Sequence, residues 1–328
     1  MIFVREQQIY TRRVRGEEQK EVHLSVITEG QKKYYGSHRS RKKVKVSSPK
    51  QKALNDKRSR IYFEMLASTN FGRGDYLVTN TYGDEHLPGS ADDGDDNVKR
   101  FLRRLSVIYK KAGVPFRYIF TTSYSSGRNG GAPVRMHHHI LLSGGVDRDT
   151  IEDAWRAKSD KPGRLGDKLG FANVKKLQPD ESGISAALVY FVKQAREGIR
   201  RRWHASIGLK KPLAAYPNDD SYDFRDLKTI RDRGSDAPDR SWWEKRYPGW
   251  TLAGLGAVTI SESEISGTSV RVKLRRLDNS PPRKKELYTR KPELSTSKAR
   301  LSTKLSTELS TGRKPVATKS TSSRKKKE

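Results

Sequence analysis

The sequence holds no cysteine. Disulfides, thiolate metal sites and catalytic thiols are excluded, and an intracellular, cytoplasmic location is the expectation. Long apolar runs are missing too. The longest, Ala186–Val192, has seven residues, whereas a membrane span needs about 20, so no membrane partner is expected. Met1-Ile-Phe-Val is cut off by Arg5 before an apolar region develops, and no signal peptide is expected. Nowhere does Gly-x4-Gly-Lys-Ser/Thr occur, so no P-loop motor is expected either. Acidic residues are few beside basic ones, 38 against 68, for a net charge of +30. Such a balance points to a polyanionic partner, nucleic acid first of all. With 33% hydrophobic residues, not all of the chain can be packed core.

The charge is uneven. Residues 1–60 carry a net +11, residues 271–328 a net +14, and residues 61–270 only +5. Leu-Ser-Thr recurs at Leu294, Leu301, Leu305 and Leu309, and Arg324-Lys-Lys-Lys lies near the end. That composition buries too little apolar surface to offset its ordering entropy. Residues 271–328 are therefore expected to be a disordered basic tail. Residues 1–47 are expected to be a basic arm, 48–213 the organised domain, and 214–270 an accessory extension.

Periodicity predicts the elements of the middle. Pro49 to Ser68 reads as a helix and Asp75 to Tyr82 as a strand. Asp92, Asp93, Asp95 and Asp96 precede the apolar series Val98, Phe101, Leu102, Leu105, Ile108 and Tyr109. This is an amphipathic helix whose acidic start suits its dipole. Strands are predicted over Phe116–Tyr124 and Val134–Leu142, a short helix over Asp147–Trp155, a further strand over Phe171–Leu177, and a helix over Ser182–Ala195. The order implies an α+β sandwich, an antiparallel sheet with helices packed on one face.

Two features carry chemistry. In the strand Val134–Leu142, alternation sends His137 and His139 to one face and His138 to the other with Met136, Ile140 and Leu142. Two imidazoles on an open sheet face suit one metal ion, and equally suit two solvated surface histidines. In the helix over Ser182–Ala195, Tyr190 and Lys193 share a face, opposite Ile184, Leu188 and Phe191. A phenol is a nucleophile toward phosphorus when deprotonated, and an ammonium beside it favours the phenolate. A packing tyrosine with a surface lysine gives the same spacing, and a second Tyr-x-x-Lys occurs at Tyr288.

Together, a strand His-U-His (U is usually hydrophobic) and a later helical Tyr-x-x-Lys resemble the HUH endonucleases that start rolling-circle replication. The chain most resembles replication initiators of single-stranded DNA microviruses and prophage replication-associated proteins. The stretches that carry the likeness span residues 50–213. They are the Asn55 helix before Asn70-Phe71, Leu77-Val-Thr-Asn-Thr-Tyr82, Val98-Lys-Arg-Phe-Leu-Arg-Arg-Leu105, Arg117-Tyr-Ile, Arg135-Met-His-His-His-Ile-Leu-Leu142, Tyr190-Phe-Val-Lys193, Trp203-His-Ala-Ser206 and Leu209-Lys-Lys-Pro212. The resemblance implies an HUH/RRM-like fold and nicking of a single-stranded DNA origin. It implies attack by Tyr190 to give a 5′-phosphotyrosine and a free 3′-OH, with Lys193 assisting and Mg²⁺ or Mn²⁺ held by His137 and His139. Host helicase and polymerase would be partners. One departure stands out: Ser123 occupies the place where the family usually has a metal-binding Glu, which leaves water or a carboxylate such as Asp84 or Glu85 as the third ligand, or else a low metal affinity or an impaired enzyme. An HUH relaxase or transposase would share this chemistry. A non-catalytic basic nucleic-acid-binding protein would use the tail and stack bases on Trp203, Trp242, Trp243 or Trp250. Under the nicking reading, trimming residues 271–328 is expected to weaken DNA binding and spare the chemistry.

Overall fold

The structure is a computed structural model, which describes residues 1–11, 18–36, 48–127, 132–161, 164–192, 201–234, 239–254, 256–263 and 267–277. Residues 1–283 form one compact unit. Residues 278–328, most of the stretch read as a tail, lie outside the described residues.

The fold is α+β, with two antiparallel sheets. The five-stranded sheet is built around β5 (Val134–Leu142), the strand whose bounds the alternation predicts. β3 (Tyr76–Thr81) and β4 (Tyr118–Ser125) flank it, and β6 (Ala172–Lys176) and β7 (His204–Ala205) form the edges. The order is β6-β3-β5-β4-β7. Alternate residues of the central strands enter two apolar clusters. Phe120, Met136, Ile140 and Leu142 pack with Val98, Phe101, Leu105 and Tyr109 of α3 (Ala91–Lys111) and Ile151 of α4 (Arg148–Asp153). Ile119 and Leu141 pack with Phe63 and Leu66 of α2 (Pro49–Asn70) and Leu188 and Phe191 of α5 (Ser185–Val192). Helices thus cover both faces of this sheet, not one. The polar look of the His137 and His139 face misled the sequence reading. Its cover comes from α5 and the C-terminal half of α2, through the buried side chains of Phe63, Leu66, Leu188 and Phe191.

Local chemistry sets the helix ends. Ser48 accepts a hydrogen bond from the Gln51 amide at 3.2 Å, and Pro49 occupies the first turn of α2. Ser90 caps α3 through the Asp93 amide, Asp92 and Asp93 lie in its first turn, and Lys110 and Lys111 in its last. Gly94, inside α3, has a packing reason: a Cβ there would lie 2.3 Å from Met136 Sδ. Any larger residue there would displace the Met136 side chain.

The other sheet departs most from the sequence reading. Instead of a loose arm, β1 (Ile2–Tyr10) and β2 (Gln19–Thr28) form an antiparallel pair along their length, followed by α1 (Glu29–Gly36). β2 pairs on its far side with β12 (Gly267–Arg276), so the boundary at 270/271 cuts through a strand. Outside β12 lie β10 (Trp250–Leu252) and β11 (Val258–Ser263). β8 (Leu213–Ala214) and β9 (Asn218–Tyr222) pair with β1, and α6 (Phe224–Arg233) and α7 (Arg240–Arg246) complete the segment. The stretch read as a separate extension therefore shares a sheet with residues from both ends of the described fold.

Charge is the reason this sheet escaped notice. Val22, Leu24, Val272 and Leu274 are buried on one face. On the other, Arg271 donates to Glu21 and, at 2.7 Å, to Glu64 of α2, while Lys273 also reaches Glu64. Ser185 at the start of α5 donates to Glu64 at 3.1 Å. An ionic layer therefore joins β2 and β12 to the helices over the five-stranded sheet. Burial raises the Glu21 pKa, but hydrogen bonds from His23 and Arg271 outweigh it and hold the carboxyl down at about 2. Lys20 sits over the rings of Tyr10, Tyr247 and Trp250, and burial lowers its pKa to about 8.

No helix among the described residues is long and apolar enough to cross a membrane.

Candidate functional site

Three consecutive histidines of β5 divide between the two faces. His138 faces α3, is fully buried, and has both ring nitrogens engaged. Thr122 Oγ1 lies 2.9 Å from Nδ1, and the Tyr82 hydroxyl lies 2.7 Å from Nε2. Thr122 donates its one hydrogen to Asp95 Oδ1 at 2.6 Å. It must therefore accept from His138, which fixes the proton on Nδ1 and leaves Nε2 to accept from Tyr82. Burial, opposed by the Asp95 charge, drops the His138 pKa to about 3, so the ring is neutral. The polar residue at the U position is thus a satisfied core histidine with two hydrogen bonds.

Asp95 is a residue the sequence reading passed over as one of four helix-start acids. It also meets His204 Nε2 at 3.3 Å, and His204 stacks on Phe120 with centroids 4.7 Å apart. Burial raises the Asp95 pKa, but hydrogen bonds from His204 and Thr122 more than offset this and hold it below the usual range. The chain Tyr82–His138–Thr122–Asp95–His204 links the residue after β3 with β5, β4, α3 and β7. Only the Trp203-His-Ala-Ser motif hinted at its far end.

On the opposite face, His137 and His139 have ring centroids 5.0 Å apart, at 83° to each other. His137 lies 2.9 Å from the Arg135 carbonyl through Nδ1. A carbonyl only accepts, so Nδ1 carries a proton and Nε2 is the nitrogen left to ligate, the arrangement that ligating histidines use. His139 Nδ1 lies 3.2 Å from Thr79 Oγ1. Burial, then the neighbouring His137, pushes the His139 pKa down to about 4, so this ring is neutral well below pH 7. His139 is only 7% exposed, because Phe191 of α5 covers it with centroids 5.9 Å apart. The face is therefore closed over His139, while His137 stays partly exposed.

Two imidazoles at this separation fit a divalent cation as half of a ligand set. The strand neighbours contribute hydroxyls: Thr81 and Ser123 lie opposite His137, and Thr79 and Thr121 opposite His139. Asp84 is taken up by Arg135 at 2.7 Å and Glu85 lies by His86 at 3.8 Å. Among the described residues no third carboxylate or histidine gathers with the pair. Neither substitute suggested for Ser123 completes the set.

The tyrosine helix is on this same face. α5 carries Tyr190 in its last turn, and its stripe Ile184, Leu188 and Phe191 is buried as the spacing predicts. The Tyr190 side chain and all of Lys193 lie outside the described residues. What is placed is the backbone: the residue after Tyr190 packs on His139.

Between the middle of α2 and residues 202–203 lies a narrow cleft. Arg60, Arg202, Phe63 and Trp203 line it, and Thr121 and Phe191 form its inner end. Of the four tryptophans first considered for base stacking, Trp243 and Trp250 are buried in the seven-stranded sheet and its helices. Trp242 packs near Tyr222, and Trp203 alone lines this cleft.

Comparisons with protein families, with curated proteins and with solved structures find no match.

Proposed function

We propose that the chain is a metal-dependent endonuclease and strand transferase of the HUH type. It nicks single-stranded DNA at an origin of rolling-circle replication. The observation that carries this reading is the placement of α5 on the face of His137 and His139, with Phe191 against the His139 ring. A helical tyrosine, a histidine pair and an arginine-lined cleft then belong to one region of the molecule.

In the proposed step, the Tyr190 oxygen bonds to phosphorus and the bond from phosphorus to the 3′ oxygen breaks. The phenol proton passes to solvent, and the leaving 3′ oxygen takes up a proton to become the free 3′-OH. Bond energy is retained in the phosphotyrosine, so rejoining needs no ATP. Lys193 is assigned to gripping the phosphate and favouring the phenolate. His137 and His139 would hold Mg²⁺ or Mn²⁺, which polarises a non-bridging phosphate oxygen and offsets charge in the transition state. Both rings are prepared for that by their hydrogen bonds and, at His139, by burial. With no P-loop in the sequence, strand opening is left to a host helicase and extension of the 3′-OH to a host polymerase.

The test is incubation with single-stranded origin DNA and Mn²⁺, scored for a covalent adduct on a denaturing gel. Wild type should give the adduct with Mn²⁺ and none with chelator. Tyr190→Phe and His137→Ala should each remove it entirely. Adduct from Tyr190→Phe would exclude that residue as the nucleophile. Metal-independent binding with no adduct from wild type would leave a non-catalytic basic nucleic-acid-binding protein.

A further inference from the structure

Tyr190 is carried by α5, so whatever orients this short helix orients the tyrosine. The stripe Ile184, Leu188 and Phe191 is buried in the core over the five-stranded sheet, which decides the side of α5 that turns inward. Apolar contact is not directional, and it leaves the tilt and twist of an eight-residue helix to be set by something else. Hydrogen bonds are directional, and those at the start of α5 run to the other sheet.

The Ser185 hydroxyl donates to Glu64 Oε1 at 3.1 Å, and the Lys273 ammonium of β12 lies 3.5 Å from the same hydroxyl oxygen. Burial opposes ionisation of Glu64, but the Arg271 and Lys273 charges more than offset it and hold the carboxyl below its usual range. An ionised acceptor makes the stronger hydrogen bond. Ser182, just before the helix, donates to the Ala253 carbonyl at the end of β10, at 3.1 Å. Asp180 and Gly183 exchange backbone hydrogen bonds of 3.0 and 2.9 Å, which close a tight turn. Gly183 has a φ of 68°, and a Cβ on it would lie 2.0 Å from Gln19 Nε2 of β2. The lead into α5 is therefore pressed against β2 and hydrogen-bonded to β12 and the end of β10.

We propose that Ser182 and Ser185 are positioning residues through which the seven-stranded sheet fixes the direction of α5, and with it the presentation of Tyr190 to the histidine face. The inference rests on the nicking reading for what Tyr190 does. A side chain that reaches about 6 Å from a helix axis moves by about 1 Å when the helix twists by about 10°. A misplacement of about 1 Å costs about 100-fold in rate. Loss of one hydroxyl far from the phosphate is thereby felt at the chemistry.

The chain has no cysteine, so Ala186→Cys on α5 and Lys110→Cys on α3, both exposed positions, carry a unique pair of spin labels across the five-stranded sheet. The label distance in the full chain is read by pulsed electron resonance with chelator present. Ser185→Ala in this background should shift or broaden the distance by about 1 Å or more, Ser182→Ala should act in the same direction, and Ser185→Thr should restore the wild-type distance. In parallel, with Mn²⁺ and origin strand, Ser185→Ala should lower the maximal rate of adduct formation about 10- to 100-fold. The half-saturating DNA concentration should stay unchanged, and Ser185→Thr should recover the rate. An unchanged distance in the variant lacking both hydroxyls would overturn the proposal, even with a lowered melting point, because the serines would then serve stability alone. A displaced helix with the full adduct rate would overturn it too. If wild type forms no adduct, the nicking reading fails by itself, and the label distance still decides whether the sheet directs α5.

Discussion

Replacing Arg271 with Met lowers the free energy of unfolding at pH 7 by about 3–5 kcal/mol, and the deficit shrinks as the solution is acidified. The guanidinium bridges Glu21 on β2 and Glu64 on α2, which are 5% and 17% exposed at their side chains. Without it, Glu21 keeps only His23, Glu64 keeps Lys273 and Ser185, and the two carboxylates repel across the layer. In the wild type the folded Glu21 pKa lies near 2, below the unfolded value of about 4.3. Its contribution is complete above the unfolded value and is lost as pH falls through about 2. In the variant the desolvation that opposes ionisation at both glutamates is offset less, by His23 at Glu21 and by Lys273 at Glu64. Their folded pKa values rise, the folded chain takes up protons first, and stability increases as pH drops from 7 toward 5. Urea midpoints of both proteins at pH 7 and pH 5 measure this. Parallel curves, with the gap unchanged at pH 5, would show that Arg271 acts through packing rather than charge.

A chain that ends at Val270 fails to fold, whereas a chain that ends at Arg283 keeps the thermal transition of the whole. The first cut removes Arg271 to Arg276 of β12, the strand that pairs with β2, β10 and β11. Val272 and Leu274, both fully buried, leave with it, as do both cationic partners of Glu64. The second cut falls at the edge of the compact unit and removes fourteen basic and four acidic residues, a net +10. That shortened chain should bind single-stranded DNA more weakly, and its slope of log affinity against log salt should fall by about 0.7 for each phosphate that the tail no longer neutralises. Under the nicking reading, its adduct yield at saturating DNA should equal that of the full chain. Circular dichroism melts and salt-series titrations separate the two cuts. Trimming at 271, the boundary drawn from charge alone, would confuse loss of fold with loss of attraction. Folding of the chain that ends at Val270 would deny β12 its central place.

Sequence pattern located the five-stranded sheet because its strands bury apolar residues on a regular alternation. β5 is the clearest case: Met136, His138, Ile140 and Leu142 turn inward as period two demands. The helix α3 was equally legible, with its acid-rich start, apolar stripe and lysines at the close. The seven-stranded sheet was not legible, for a reason that net charge conceals. Glu6, Glu18, Lys20 and Glu21 look like arm residues, yet all four are buried. Their compensation comes from residues such as Arg271 and Arg276, more than 240 positions away, and local patterning cannot see a partner at that range. The same limit applies at the site. His137 and His139 were visible as a pair, but the cover of His139 by Phe191 and the ion pair of Asp84 with Arg135 are tertiary facts. Asp95 was hidden among three other aspartates, and only the approach of His204 and Thr122 distinguishes it.

The pairing of β2 with β12 also sets an order of events during synthesis. Glu21 and Arg271 are separated by 250 residues. At roughly 5–20 residues per second, the ribosome delivers the second about 12–50 seconds after the first. Throughout that interval β2 has one unpaired edge and a carboxylate without its cation. The five-stranded sheet, whose strands lie between these two positions, can pair while the wait continues. The nascent chain therefore passes through a stage with one sheet closed and the other open, and the open edge of β2 is where premature association between neighbouring nascent chains would begin.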